Sequence, residues 1–232
     1  MIKLNQKSKK LLLLQRNELL TQRQKWLRKK FGRLLFTNIF IHFFQNKNLE
    51  KITEELFLKE IETFRNFLPK SVKNIMDIGC GLGIINIHLN QIYENKPNFF
   101  LLDKNKIDKK IKYGFSSNYE SYNDLNETKN LLRDNNIKDT CIHIYDVDKI
   151  IQISNKIDLV ISLKSMGYHY PFEIYLELLK LCCTRDTKFI FDVSTDNFNE
   201  NLFKNYFESI KVIYEEKSIQ SLKRLYCEDL RI

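Results

Sequence analysis

Residues 75–83 read Ile75-Met76-Asp77-Ile78-Gly79-Cys80-Gly81-Leu82-Gly83. An apolar run, read as a buried strand over Ile75–Ile78, enters three glycines spaced two apart, and Ile84–Tyr93 follows with the pattern of a helix. The whole chain has only 6 glycines, so three in one turn mark a local backbone requirement. Glycine accepts positive φ and lets a ligand reach the main chain without meeting a Cβ. The next helix offers free N–H groups at its start. Twenty residues after Gly83, Asp103 ends a second apolar strand, Phe99–Leu102. A carboxylate at that position can accept both hydroxyl protons of a ribose. The Gly-x-Gly-x-Gly spacing differs from the Gly-x-Gly-x-x-Gly of pyrophosphate sites, and Asp77 would repel a phosphate. It would instead orient a cationic ammonium, directly or through water. The pattern therefore points to a nucleoside carrying a positively charged group.

Outward from this turn the strand–helix alternation continues. A helix is expected over Asp124–Asn135, with Asp124 as N-cap and Glu127 three residues on in a capping-box pattern. Strands follow at Cys141–Tyr145, Leu159–Leu163 and Phe189–Val193, with a helix at Phe172–Cys183 and another at Asn199–Phe207. Ile210–Glu216 and Ser221–Asp229 read as an antiparallel hairpin. Such alternation implies an α/β fold with a parallel sheet covered on both faces and ligands at the carboxyl ends of the strands. Upstream, Ser8 to about Phe44 is helical and basic, and Leu49–Phe67 forms a second helix before Pro69.

From Asn74 to Ile232 the chain resembles the class I S-adenosylmethionine-dependent methyltransferases, whose signature is Asp-x-Gly-x-Gly-x-Gly. The resemblance implies a Rossmann-like, mostly parallel sheet of about seven strands in the order 3-2-1-4-5-7-6, with an antiparallel last strand. Residues 1–70 would be an N-terminal helical extension or lid, and residues 71–232 the S-adenosylmethionine-binding domain. Carried over residue by residue, Gly79, Gly81 and Gly83 would wall the cofactor's amino-acid part and ribose. Asp77 would lie beneath the methionine end, and Asp103 would hold the ribose hydroxyls. Asp146 matches an acidic position that contacts the adenine amine, with a turn or helix-cap role as the alternative, and Val147 would border the ring. Cys80, Lys104 and Leu163 complete the expected cofactor contacts.

In this fold the transferred methyl faces the end of the fourth strand, here Ser162-Leu163-Lys164-Ser165-Met166-Gly167-Tyr168-His169-Tyr170-Pro171. His169 suits a general base near neutral pH. Lys164 could lower a hydroxyl pKa or bind an acidic group, and Tyr168 and Tyr170 could orient the acceptor. The plainer alternative makes His169 a loop hydrogen-bonding residue and the tyrosines core. The Asp/Asn-Pro-Pro-Tyr tetrad of amino-group methyltransferases is absent after this strand, as is a Pro-Cys nucleophile. This leaves oxygen methylation, and the loop is similar to that of bacterial enzymes acting on sugars or small metabolites. The long connection 104–123, with Tyr113, Phe115, Tyr119 and Tyr122, is expected either to close over the cofactor or shape the acceptor pocket, or to be a surface excursion.

The net charge of +9 favours an anionic partner without choosing one. Arg16, Arg23, Lys25, Arg28, Lys29, Lys30 and Arg33 could contact phosphates, which keeps an RNA or DNA methyltransferase open. The Trp26/Phe31/Leu34/Leu35 stripe reads as a lid, a docking surface or a homodimer interface, and a basic amphipathic helix could also lie on anionic lipid. A catalytically dead cofactor-binding scaffold is a further alternative. Five cysteines without a CxxC pair or metal spacing fit a reducing cytoplasm and no metal. Leu11–Leu14 is too short for a signal peptide or membrane span.

Overall fold

The computed structural model describes residues 1–43, 47–107, 122–195, 198–216 and 221–231. Its strands are β1 (Asn74–Ile78), β2 (Asn98–Asp103), β3 (Ile142–Asp146), β4 (Leu159–Ser162), β5 (Lys188–Ser194), β6 (Phe207–Glu216) and β7 (Leu222–Leu230). They form one seven-stranded sheet in the order β3-β2-β1-β4-β5-β7-β6, the order that the resemblance implied. β1 to β5 run parallel, while β7 pairs antiparallel with both β5 and β6. The helices are α1 (Gln6–Gln15), α2 (Gln22–Phe31), α3 (Arg33–Phe43), α4 (Lys47–Glu62), α5 (Ile84–Ile92), α6 (Leu125–Asp134), α7 (Glu173–Cys182) and α8 (Glu200–Lys204). Among the described residues, no helix is long and apolar enough to cross a membrane.

The basic N-terminal run is three helices and not one. α1 starts where the Asn5 side chain accepts from Ser8 N–H at 2.8 Å. It stops at Arg16, and a 3-10 turn covers Asn17–Leu19. A capping box between Thr21 and Gln24 starts α2, and Gly32 at φ +80° separates α2 from α3. Leu11 to Leu14 are all buried, because α1 packs against α3 and α6 and has apolar neighbours all round. Arg28 is buried too. Its guanidinium donates to the carbonyls of Leu13 at 2.8 Å and Leu14 at 3.2 Å, closing the end of α1. Arg28 is therefore not placed for a phosphate.

The capping-box expectation for α6 holds only in half. Asp124 accepts from the N–H of Asn126 at 3.0 Å and of Glu127 at 3.3 Å. The Glu127 side chain turns away from the cap, is buried, and accepts the Ser8 hydroxyl. A tertiary partner 119 residues away thus replaces the local one. On one face of the sheet a single apolar cluster joins Ile2, Leu4 and Leu11–Leu14 with Ile75, Phe99, Leu131 and Ile161. A second cluster fills the other face, with Met76, Phe100, Val160, Phe172, Phe191 and Phe207. Cys182 and Cys183 belong to it and are core.

Candidate cofactor and acceptor site

β1 ends in a turn that passes close to β2. The Gly79 and Cys80 N–H groups both donate to Leu102 O, at 2.7 and 3.2 Å. Gly79, Gly81 and Gly83 have φ of +75°, +54° and +70°, which L side chains rarely adopt. Each glycine also faces a side chain. A Cβ on Gly79 would stand 2.1 Å from Ser165 Oγ, one on Gly81 3.0 Å from Gln15 Oε1, and one on Gly83 3.3 Å from Leu132 Cδ2. The Gly79 position lets the β4 loop close against β1, a packing reason for glycine that the motif alone does not reveal.

Two carboxylates flank the turn. Asp103, at the end of β2, accepts from Gly81 N–H at 2.6 Å and from its neighbour Lys104 N–H at 2.7 Å. Burial raises its pKa to about 6 against the pull of those two N–H groups. Asp77 is 3% exposed and accepts from Asn86 Nδ2 at 2.6 Å. Burial, with Asp103 adding repulsion, pushes Asp77 up to about 7 although the Asn86 bond opposes it. A cation beside them would favour the ionised form of each. The half-buried Cys80 thiol lies beside them, raised well above its usual pKa by burial and by Asp103 and Asp77.

Residues outside the motif hold the turn. Asn123 Nδ2 and Thr128 Oγ1 both donate to Gly81 O, at 2.9 and 2.8 Å. Gln15 Nε2 donates to Tyr122 O at 2.8 Å, so α1 reaches the same place. None of these carries a motif. Asn86 did leave a trace, as a polar residue inside the apolar run Ile84-Ile85-Asn86-Ile87.

Asp146 sits across from Asp103 in the β2–β3 register. It accepts from Asp148 N–H at 3.2 Å and stands 3.7 Å from Lys149 Nζ. Those are turn interactions, the alternative considered for it. Val147 N–H donates to Asp103 O at 3.1 Å, which keeps the two strand ends together. Leu163 is buried where β4 ends. Of the long connection, residues 108–121 lie outside the described residues, with Tyr113, Phe115 and Tyr119 among them.

The β4 loop turns at Lys164, whose φ is +59°. Ser165 O accepts from the N–H groups of Tyr168, His169 and Tyr170 at 3.1, 2.8 and 3.1 Å, winding the loop tightly. His169 remains exposed, edge-on to Tyr168 at 4.8 Å. Partial burial and then Lys164 lower its pKa, so its imidazole is neutral at pH 7. Burial raises the Tyr168 phenol. Lys104 Nζ lies over the Tyr170 ring at 5.5 Å.

Lys164 pairs with Glu18 of the N-terminal segment at 2.7 Å. Burial would lower this lysine, but Glu18 outweighs it and the pKa rises. It is a cation here. For Glu18, burial is outweighed by Lys164 and Arg16, which bring it to about 2. Below this pair, Asp192 on β5 faces Arg224 on β7 in register. Their contacts are 2.7 and 2.9 Å, and Arg224 also donates to Thr63 Oγ1 at 2.6 Å. Among the described residues no group of three or more His, Cys, Asp or Glu could hold a metal.

No family model and no curated protein matches the chain. Solved structures do. A putative O-methyltransferase from Nostoc punctiforme is similar with a TM-score of 0.53 at 13% identity, over 75% of this chain and 56% of that one. The StiE O-MT is similar with a TM-score of 0.53 at 14% identity, over 88% of this chain and 81% of that one. The T. thermophilus 16S rRNA N2 G1207 methyltransferase, in complex with AdoMet and guanosine, gives 0.51 at 14%, over 75% of this chain and 42% of that one. At such identities the likeness carries the fold: the chain has the Rossmann-like class I methyltransferase fold.

Proposed function

We propose that the protein is an S-adenosylmethionine-dependent methyltransferase that methylates an oxygen of a small hydroxylated acceptor such as a sugar. The observation that carries this reading is the pair Asp77 and Asp103. Both are carboxylates held above their ordinary pKa at the carboxyl ends of adjacent strands, around a turn of positive-φ glycines. Such a site rejects pyrophosphate and favours a nucleoside with a cationic tail. When bound, the cofactor supplies a methyl group on a sulfonium. Asp103 would hold the ribose hydroxyls, and Asp77, with Asn86 behind it, would face the ammonium. Asp146 and Val147 would border the adenine, with Cys80, Lys104 and Leu163 around it.

On the acceptor side, a ring nitrogen of neutral His169 would take the hydroxyl proton as the oxygen gains its methyl. Tyr168 and Lys164 would orient the acceptor beside it. General bases contribute about 10²- to 10⁴-fold. With methyl-labelled S-adenosylmethionine and a panel of hydroxylated acceptors, His169→Ala is expected to lose about 100-fold or more in turnover and to bind the cofactor normally. Near-wild-type turnover in that variant would remove His169 from the chemistry.

A further inference from the structure

The segment between α1 and α2 brings charges to the site that the glycine motif does not supply. At one end Gln15 Oε1 stands 3.0 Å from where a Gly81 Cβ would be. At the other, Glu18 holds Lys164 on the β4 loop at 2.7 Å. Arg16 lies between these two fixed points. Its backbone is extended, with φ −116° and ψ 105°, and its N–H donates to Leu12 O at 2.8 Å. Its guanidinium lies over the Phe57 ring at 4.8 Å, and its side chain is 18% exposed. The segment therefore fixes a cation between the glycine turn and the acceptor loop, and Asp77 and Glu18 are both lowered by its charge.

The cations around the site differ in how tightly they are held. Lys164 sits 2.7 Å from Glu18, and Arg224 is 2.7 and 2.9 Å from Asp192. Lys104 follows Asp103 on the side assigned to the ribose. Among the described residues, Arg16 meets a carboxylate only at Glu60 Oε2, at 3.5 Å, longer than the ~2.7–2.9 Å of a close charge-assisted bond. Glu60 is shared, since Arg224 also reaches it at 3.4 Å. A zwitterionic amino-acid tail in a half-buried pocket needs an anion for its ammonium and a cation for its carboxylate. Asp77 provides the first.

We propose that Arg16 is the carboxylate-binding residue for the amino-acid tail of the nucleoside ligand, a role that rests on the cofactor reading above. The test compares S-adenosylhomocysteine with 5′-methylthioadenosine, which has the same nucleoside but lacks the amino-acid tail. Arg16→Met is expected to weaken S-adenosylhomocysteine about 10- to 100-fold, the usual range for a charged hydrogen bond, and to leave methylthioadenosine within about 3-fold. Arg16→Lys should recover part of the loss. If Arg16→Met binds S-adenosylhomocysteine within about 3-fold of wild type, or loses both ligands equally, the assignment is wrong. A ligand-side measurement needs no variant: wild type should bind decarboxylated S-adenosylmethionine about 10- to 100-fold more weakly than the intact molecule, and equal binding would overturn the assignment. Wild type that binds none of these ligands would overturn the cofactor reading and this assignment with it, whereas tight binding that ignores Arg16 would remove the assignment alone.

Discussion

Asp77 holds its proton to about pH 7 in the folded protein, whereas an exposed aspartate loses it near pH 4. Its folded pKa lies above its unfolded one. Its contribution to stability is therefore complete below about pH 4 and is lost as pH rises through 7. Asp77→Asn should gain stability relative to wild type over that window, by at most about 1.4 kcal/mol per pH unit, in denaturant unfolding at a series of pH values. The same ionisation governs binding. A cationic tail favours charged Asp77, so S-adenosylhomocysteine should bind more tightly at pH 8 than at pH 5.5, with proton release that Asp77→Asn reduces to the part contributed by Asp103. Parallel pH profiles for wild type and variant would show that Asp77 does not titrate in this range.

At the scale of elements, the buried pair between β5 and β7 ties the antiparallel hairpin to the parallel strands beneath the β4 loop. Asp192 is 0% and Arg224 2% exposed, and Asp192 also accepts from Lys164 N–H at 3.1 Å. Arg224→Met would leave a buried carboxylate without its cation, a loss of about 3–5 kcal/mol. The double variant with Asp192→Asn should be less destabilised than the sum of the two single changes, as denaturant unfolding would show. The strands themselves were readable because their apolar runs are short, strong and bounded, and most boundaries fall within one or two residues of expectation. β6 alone starts three residues early, at Phe207 and not Ile210. An acid inside the run Phe189-Ile190-Phe191-Asp192-Val193 signalled a buried partner, but not which one. Finding Arg224 requires the β5–β7 register, a tertiary property. Glu127 fits a capping box locally and was taken by Ser8 for the same reason. In the site, the glycines and Asp103 announce themselves, while Gln15, Arg16, Glu18, Asn123 and Ser165 do not. Gln15, Asn123 and Ser165 meet the turn, Glu18 meets the β4 loop and Arg16 meets Glu60, through contacts between distant parts of the chain, and periodicity carries no information about those.

Across the whole molecule, the excess positive charge is not one continuous face. Arg28 caps α1, Arg16 meets Glu60, and Arg33 lies over the Tyr122 ring at 4.9 Å. Lys30 lies over the Trp26 ring at 5.4 Å, so of the seven cations that could have met phosphates, four have partners among the described residues. Trp26, Phe31, Leu35 and Ile39 are each about half exposed on α2 and α3, while Leu34 packs inward against the core. The N-terminal segment brings Gln15 and Glu18 to the carboxyl ends of the strands, beside the proposed cofactor site. The most direct test is calorimetric titration of the whole chain with S-adenosylhomocysteine, with Asp103→Ala as the control. One molecule is expected to bind per chain, with at least about 10-fold weaker binding in the variant under conditions where its unfolding transition shows it folded. Absence of binding to wild type, or equal affinity in Asp103→Ala, would contradict it.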